Sequence, residues 1–179
     1  MRAAVRLASR RGWDETTVQD IAAAAGVSPR TFFRYFPTKV DALFGDEPER
    51  MEILERALAE RAPGETVLAA VRRGVLEWVT EFMTEPELYI SRARLAFEHP
   101  DVLGPALVRF AHLEAVVAAA AAVELHANAV DVRPRLIGAA TTAAIRATSQ
   151  AWIARNGEGD PREIVNESFD LLERGLGAT

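Results

Sequence analysis

Apolar residues recur along this chain at helical spacing, and the strict alternation of apolar and polar positions that marks half-buried strands is missing. Glycine and proline interrupt the pattern at regular intervals, and the segments between them are rich in Ala, Leu, Arg and Glu, which favour helices. No alternating runs flank an Asn-Gly or Asp-Gly turn, so no hairpin is predicted. We predict an all-α fold with helices at residues 2–11, 17–24, 28–35, 38–61, 65–84, 87–98, 103–129, 133–155 and 161–175.

The first three predicted helices are short and the later ones are long. This difference predicts a compact three-helix head at residues 1–46 and a larger helical bundle at residues 47–179. No internal repeat and no low-complexity linker is found in the sequence.

Residues 16–39 form a helix-turn-helix pattern. Thr16 is suited to cap a helix that ends near Gly26, a residue that adopts the left-handed turn conformation easily. Ser28 is suited to cap the next helix, and Pro29 then occupies its first position, where a missing N–H has no cost. Two short helices are therefore expected, joined by a turn of three to four residues.

The second of these helices has two unlike faces. Phe32 and Phe36 are four residues apart and are expected to pack on three apolar residues of the head, Ile21, Val27 and Leu43. Arg30 and Arg34 point roughly the opposite way, and Thr31 and Tyr35 form a third stripe. Exposure to solvent alone explains poorly why one helix carries Arg, Thr and Tyr together on its outer side. In the DNA major groove, Arg binds guanine and an aromatic ring contacts the thymine methyl, so these residues are suited to reading DNA.

The next turn offers further contacts to DNA. Tyr35 and Lys39 are suited to flanking phosphates, and a helix beginning near Thr38 would direct the positive end of its dipole to the same place.

The charge distribution agrees with local DNA contact. The 179 residues carry a net charge of −5, but residues 1–46 hold seven Lys/Arg against five Asp/Glu, whereas residues 47–179 hold fourteen against twenty-one. A basic head on an acidic body excludes indiscriminate coating of nucleic acid and permits binding through the head.

Residues 1–46 resemble the N-terminal domain of TetR-type transcriptional regulators. That family's pattern is a Thr-Thr start, a run ending in Ala-Gly-Val-Ser, then Thr-Phe-Tyr-x-Tyr/His-Phe and a Lys. The matching residues here are Thr16, Thr17, Ile21, Ala22, Ala25, Gly26, Val27, Ser28, Thr31, Phe32, Phe33, Tyr35, Phe36 and Lys39. The resemblance implies a dimeric, ligand-responsive regulator, most often a repressor that a small hydrophobic effector releases from a palindromic, double-stranded DNA operator.

The resemblance also implies which residues lie at the DNA face: Thr17, Ser28, Pro29, Arg30, Thr31, Phe33, Arg34, Tyr35 and Lys39.

Two departures from the family pattern change the expected contacts. Phe33 stands where the family usually has Tyr, so a phenol–phosphate hydrogen bond is lost and only ring contact remains. The chain also begins almost inside its first helix, where family members carry several more, often basic, residues that strengthen backbone binding.

The body is expected to supply the dimer contact and the effector pocket. Helix 133–155 is rich in small residues and helix 161–175 carries an apolar stripe, so the two predict a four-helix homodimer interface, with packing inside one subunit as the alternative. By resemblance, residues 65–129 enclose the effector, and an acyl-coenzyme A thioester is one candidate. The candidate contacts are Trp78, Phe82, Tyr89, Arg94, Phe97, Arg109, Phe110 and His112.

Other classes of protein fit the sequence less well. An enzyme or small-molecule carrier is the first alternative, but the chain has no Gly-rich phosphate loop, nucleophile elbow or His-Glu-x-x-His helix. A DNA-binding scaffold that senses no ligand is the second. No cofactor is predicted, and because cysteine is absent and the three histidines are poorly spaced, no metal site either. No uninterrupted apolar run approaches the length of a membrane span and no secretory signal is evident, so a cytoplasmic location is expected.

Overall fold

The structure, a computed structural model, describes residues 1–175 except the side chains of Glu81 and Phe82. These residues form nine α-helices and one 3-10 helix, and no strand is found among them, which confirms the all-α prediction. The elements are α1 (Arg2–Arg11), α2 (Val18–Ala24), α3 (Pro29–Tyr35), the 3-10 helix (Asp41–Phe44), α4 (Glu47–Ala59), α5 (Val67–Phe82), α6 (Pro86–Glu98), α7 (Pro100–Glu124), α8 (Val132–Ala154) and α9 (Pro161–Arg174).

The predicted helix at 38–61 is wrong as a single element. A turn and the 3-10 helix occupy residues up to Phe44, and α4 begins only at Glu47. The restart has a physical reason: Pro48 has no backbone N–H and clashes with the preceding turn of a helix, so it is tolerated in the first turn and not in the interior. The dipole expected from a helix beginning near Thr38 is therefore absent.

The bounds of α7 also differ from the prediction of 103–129. The helix begins at Pro100, which takes the first position that a proline favours, and continues through Pro105. It ends at Glu124, where His126 adopts a φ of 51° and the N–H of Ala127 donates to the carbonyl of Ala122 at 2.9 Å. This hydrogen bond closes the last turn, so the residues that follow cannot extend the helix.

The chain divides into two compact units. The head unit comprises Met1–Pro48 together with Glu85–Ala106. Helix α6 and the start of α7 therefore pack with the three N-terminal helices, although the sequence division at residue 46 assigns them to the second domain. One apolar core joins these segments: Ala4, Val5, Ala8, Trp13, Ile21, Ala22, Phe32, Ala42, Leu43, Leu95, Ala96, Val102 and Ala106.

The body unit comprises Glu49–Thr84 and the chain from Leu107 onward. Its core is drawn from five helices: Ile53, Leu54, Val67, Val71, Val75, Trp78, Val79, Leu113, Val117, Ala121, Ile145, Val165 and Phe169. Helices α7 and α8 approach closely at Gly138, where an added Cβ would lie 2.5 Å from the carbonyl oxygen of Glu114. Glycine is required there because no larger side chain fits between the two backbones.

Helix α7 is long and apolar enough to cross a membrane by length and composition alone. Its most apolar 18-residue window has a mean hydropathy of 1.7, and 33% of that window is buried. Val102 packs in the head core, and Leu113 and Val117 pack in the body core. These core positions account for part of its apolar sequence, while Val108 and Val123 of the same helix are exposed.

Candidate nucleic-acid interface

Two caps and one glycine turn define the helix-turn-helix. The cap of α2 is Thr17, one residue later than predicted: its Oγ1 accepts from the N–H of Asp20 at 3.1 Å, and the Asp20 carboxylate accepts from the Thr17 N–H at 3.1 Å. Gly26 has a φ of 69°, a left-handed conformation that glycine adopts at no steric cost. Ser28 caps α3 as predicted, accepting from the N–H of Thr31 at 3.1 Å.

Helix α3 is anchored by one side chain. Phe32 is buried at 3% exposure, and its ring packs edge-on against Phe33 and tilted against Phe36, both with centroids 5.5 Å away. These contacts confirm Phe32 as the core residue of the helix. Val27, on which Phe32 and Phe36 were expected to pack, is instead 39% exposed.

The opposite side of α3 is exposed over its whole length. The exposed residues are Pro29, Arg30, Phe33, Arg34 and Tyr35, with Phe33 at 52% and Tyr35 at 66%. A helix with two aromatic rings in water loses the stabilisation that their burial would give, so this face is suited to a partner.

The two arginines of this face differ in their contacts. Arg34 donates from Nη2 to the Tyr35 hydroxyl at 3.2 Å, and its guanidinium lies 4.9 Å from the centre of that ring. Arg30 has no ion-pair or hydrogen-bond partner among residues 1–175. The exposed face of α3 therefore carries one cation without a partner in this part of the chain, Arg30, and one that is stacked on a neighbouring ring, Arg34.

The N-terminus of α2 carries an acidic group beside Thr17. The Thr17 hydroxyl donates to Asp20 Oδ2 at 2.6 Å, and Arg11 lies 3.5 Å from the other carboxylate oxygen. Hydrogen bonds from the Thr17 side chain and backbone lower the pKa of the Asp20 carboxyl, with a smaller effect from Arg11. The Thr17 hydroxyl and the Thr17 backbone N–H are thus both engaged inside the cap.

Lys39 lies apart from the exposed face. Its Nζ donates to the carbonyl oxygen of Trp13 at 2.9 Å and to that of Thr16 at 3.4 Å, and lies 4.3 Å from the centre of the Trp13 ring. The side chain is half-buried, so its ammonium is directed into the head.

Comparison with known proteins agrees with this geometry. The family model described as bacterial regulatory proteins, tetR family, matches residues 1–44, and that of the MftR C-terminal domain matches residues 65–177. The HTH-type transcriptional regulator TcmR of Streptomyces glaucescens is 33% identical over 170 residues, covering 87% of this chain and 72% of TcmR. This chain belongs to the TetR family of transcriptional regulators.

Other TetR-family relatives extend the likeness over the whole length. MftR of Mycobacterium tuberculosis, named as a regulator of mycofactocin biosynthesis, is 24% identical over 173 residues, covering 97% of this chain and 87% of MftR. Among solved structures, the TetR-family repressor FadR of Thermus thermophilus in complex with lauroyl-CoA has a TM-score of 0.66 at 24% identity, covering 99% of this chain and 93% of that one. FadR of Bacillus subtilis in complex with stearoyl-CoA has a TM-score of 0.62 at 18% identity, covering 95% and 94%.

Family membership settles the broad function. TetR-family proteins are DNA-binding, ligand-responsive transcription regulators, typically repressors, and not enzymes. The head of this chain carries the helix-turn-helix that such a regulator needs, and the larger helical unit corresponds to the ligand-binding part.

The predicted effector contacts fall in both units. Tyr89, Arg94 and Phe97 are residues of the head unit, with Arg94 exposed and the two rings half-buried. In the body unit, Trp78 is buried at 8% exposure, Arg109 and Phe110 are half-buried and His112 is exposed; the Phe82 side chain lies outside the described residues. A groove of about 570 Å³ in the body is lined by none of these eight, but by Leu58, Ala59, Arg61, Ala62, Gly64, Glu65, Thr66 and Glu124. The effector contacts therefore stay a prediction.

Sequence reasoning missed two polar contacts that hold the head. Trp13 Nε1 donates to Asp101 Oδ2 at 2.7 Å, and Arg92, at 4% exposure, donates to both carboxylate oxygens of Asp46 at 2.6 and 2.7 Å. The partners are 88 and 46 positions apart, so no local pattern could have paired them. Among residues 1–175, no group of three or more His, Asp and Glu side chains is placed to hold a metal ion.

Proposed function

We propose that this protein is a cytoplasmic, homodimeric repressor that occupies a palindromic operator and leaves it when a small hydrophobic effector binds. The observation that carries the proposal is the exposed face of α3. Two aromatic rings and two arginines are exposed to solvent there, and the buried side chain of Phe32 anchors the helix on its other side. Family membership and the likeness to FadR structures support the regulatory and ligand-binding parts.

The proposed DNA surface divides into base contacts and backbone contacts. Arg30 is assigned to a base edge, and Phe33 to a thymine methyl, the one apolar group of the major groove. Arg34 and Tyr35 are assigned to a flanking phosphate, together with the capped helix ends at Thr17, Ser28, Pro29 and Thr31. Lys39 is also assigned to a flanking phosphate, and its contacts inside the head are those of the DNA-free chain.

Binding to a library of random duplexes, followed by sequencing, yields the operator and tests these roles. Arg30→Ala should relax the preference at one position of each half-site and weaken operator binding by about 1–3 kcal/mol. Replacing each thymine of the operator by deoxyuridine removes only the methyl group; one such replacement should weaken the wild type and leave Phe33→Ala unaffected. Equal losses on operator and random DNA for Arg30→Ala would refute its role at a base.

The proposed dimer surface is the outer face of α8. Pro134, Gly138 and Ile145 are buried against the rest of the body unit. The opposite side keeps a line of apolar and small residues at the 3–4 spacing of packed helices, Leu136, Ala140, Ala143, Ala147 and Ala154, with Leu136 at 63% exposure. On α9, Leu171 is 46% exposed. A symmetric pair of such helices would cover these residues and place two recognition helices on one DNA face.

Light scattering coupled to size exclusion tests the dimer. Ala147→Arg introduces two facing charges at a symmetric interface and should give a monomer that no longer binds a palindromic operator cooperatively. Ala119→Arg, at another exposed alanine of a body helix, is the matched control and should stay dimeric. A wild-type chain that elutes as a monomer would refute the proposal.

An acyl-CoA thioester is the proposed effector class. The support is the structural likeness to FadR bound to lauroyl-CoA and to stearoyl-CoA, and the aromatic residues of α5 to α7. An effector of a repressor must bind the DNA-free state better than the DNA-bound state.

Thermal unfolding with lauroyl-CoA, free coenzyme A and laurate separates the parts of such a ligand. We expect lauroyl-CoA alone to raise the unfolding midpoint strongly and to lower operator affinity. No shift with any of the three, for a protein that still binds its operator, would favour the DNA-binding scaffold that senses no ligand.

A further inference from the structure

The last two helices of the body unit carry opposite charges. α8 contains three arginines and no acidic residue, whereas α9 contains four acidic residues and two arginines. The arginines of α9 are already paired, Arg162 with Asp160 at 2.6 Å and Arg174 with Asp170 at 3.2 Å. In the part of the chain that the structure describes, the arginines of α8 and the glutamates of α9 have no ion-pair partner. One copy therefore presents two helices of opposite charge that its own fold does not pair.

A hydrogen bond between α8 and α9 shows why the chain does not pair these charges itself. The Thr148 hydroxyl of α8 lies 3.0 Å from the Ser168 hydroxyl of α9, so Thr148 marks the side of α8 that faces α9. Because a helix turns by about 100° per residue, Arg146 lies about 160° around α8 from Thr148. The Arg146 side chain is therefore on the side of α8 that is turned away from the α9 of its own chain.

That side of α8 also carries the proposed dimer contact. Arg146 is half-buried and is close in sequence to Ala143 and Ala147, two members of the apolar line of the proposed dimer surface. On α9, Glu167 is exposed and lies four residues before Leu171, an exposed apolar residue. Residues four apart share one face of a helix. Each of the two charges thus flanks an apolar position that a second copy would cover.

The two charges also lie at similar heights along the helices. α8 and α9 are joined by residues 155–160 and run antiparallel, so Arg146, two residues before Thr148, is level with Asp170, two residues after Ser168. Asp170 is itself bound to α5. Glu167 is three residues from Asp170, a rise of about 4.5 Å, which an extended arginine side chain spans. In a two-fold dimer whose axis runs along the helices, α8 of one copy meets α9 of the other at these same levels.

We propose that Arg146 of each copy binds Glu167 of the other, and that this ion pair, formed twice by symmetry, selects a second copy of this chain as the dimer partner. Opposite charges that flank an apolar seam set partner choice in helical assemblies, because a wrong partner places like charges together. The pair rests on the proposed homodimer and adds to it the residues that recognise the partner.

Charge reversal at each position tests the pair on the full chain. Arg146→Glu places two glutamates together at both symmetric contacts, and Glu167→Arg places two arginines together there. We expect each variant alone to dimerise about tenfold more weakly in sedimentation over a dilution series. The loss should shrink at high salt, because salt screens exposed charges. Wild-type dimer affinity in both variants overturns the proposal.

Each helix offers a matched control for these changes of charge. Arg135 lies on nearly the same flank of α8 as Arg146, but beyond the level at which α9 ends at Arg174. Glu173 lies about 160° around α9 from Leu171. Arg135→Glu and Glu173→Arg should therefore dimerise like the wild type. Losses in both controls as large as those in the test variants would show that net charge alone sets the dimer affinity, and they overturn the proposal.

Mixing the two test variants separates pairing between copies from pairing within one copy. In a heterodimer of Arg146→Glu with Glu167→Arg, both symmetric contacts regain opposite charges. Native mass spectrometry with one variant labelled with nitrogen-15 should show mainly the heterodimer, at about wild-type affinity. Statistical proportions of the two homodimers and the heterodimer overturn the proposal, because they show that the two charges do not meet across the seam.

The double variant Arg146→Glu/Glu167→Arg exchanges the two charges within one chain. It should form its own homodimer and combine only weakly with the wild type, whereas free exchange with labelled wild type overturns the proposal. A wild-type chain that stays monomeric refutes the proposed homodimer together with the pair. A dimeric wild type with no recovery in the mixed variants refutes the pair alone.

Discussion

The head unit and the body unit are stabilised by different kinds of contact. In the head, polar side chains from distant parts of the sequence bind one another, and one member of each pair is buried: Trp13 binds Asp101, and Arg92 binds Asp46. In the body, the core is mainly apolar, the buried hydroxyls of Thr141, Thr142 and Thr148 donate to carbonyls within α8, and ion pairs such as Arg72–Asp170 lie at partly exposed positions.

The two units also differ in helix length. α2 and α3 have seven residues each, whereas the body helices have 13 to 25. A seven-residue helix buries little apolar surface of its own, and one buried side chain, Phe32, anchors α3. A long helix buries a continuous stripe and depends on close fit along its length. The polar pairs of the head join the segments around α2 and α3, and the two short helices themselves are held by packing.

The largest effect is expected from breaking the ion pair of the head. Arg92→Met removes the buried guanidinium that binds both carboxylate oxygens of Asp46, and we expect a loss of about 3–5 kcal/mol in the free energy of unfolding. Urea denaturation measures it. The double variant Arg92→Met/Asp46→Leu removes both charges and should recover most of the lost stability. If it is no more stable than Arg92→Met, the ion pair is not the reason why Arg92 stabilises the head.

In the body, the corresponding change is steric. Gly138→Ala places a Cβ 2.5 Å from the carbonyl oxygen of Glu114. Because relieving this clash requires one of the two helix backbones to move, we expect a loss of about 3 kcal/mol in the free energy of unfolding. Gly74→Ala is the matched control, since its Cβ would meet a side-chain carbon of Ala57 at 3.2 Å. Urea midpoints should rank wild type, Gly74→Ala and Gly138→Ala in falling order. Equal midpoints for the two variants would contradict a backbone clash at Gly138.

A smaller loss is expected from the second polar contact of the head. Asp101→Leu leaves the buried indole N–H of Trp13 without an acceptor, which costs about 2 kcal/mol. Trp13→Phe leaves a cavity of its own, but it also removes the donor, so its loss in the Asp101→Leu background should be smaller than its loss in the wild type. Full additivity of the two changes in a double-mutant cycle would mean that the hydrogen bond contributes nothing.

The smallest effect concerns pH and compares one exposed carboxyl from each unit. Hydrogen bonds from Thr17 lower the pKa of Asp20, and those from Arg73 and Ala62 lower the pKa of Glu65. A carboxyl with a lowered folded-state pKa stabilises the protein above its unfolded pKa, and that contribution is lost as pH falls through the folded value. Asp20→Asn and Glu65→Gln should each flatten the fall of the urea midpoint on acidification. Unchanged pH profiles in both would show that these hydrogen bonds do not affect stability.

The candidate site could be predicted in its chemistry but not in its contacts. The cap at Ser28, the turn at Gly26 and the unlike faces of α3 follow from local pattern, and the structure has all three. The contacts of Lys39 could not be found in this way, because its partners Trp13 and Thr16 are 26 and 23 positions away. A residue type shows what a side chain is able to bind, and only the folded chain shows what it contacts.

The sequence by itself determined the helices, the break between a short-helix head and a long-helix body, and the exposed face of α3, because each depends on residues within one or two helical turns. Tertiary structure decided that α6 and the start of α7 belong to the head and that Gly138 faces α7. These features depend on which distant surfaces are complementary in shape and charge, and that complementarity arises only when the chain folds.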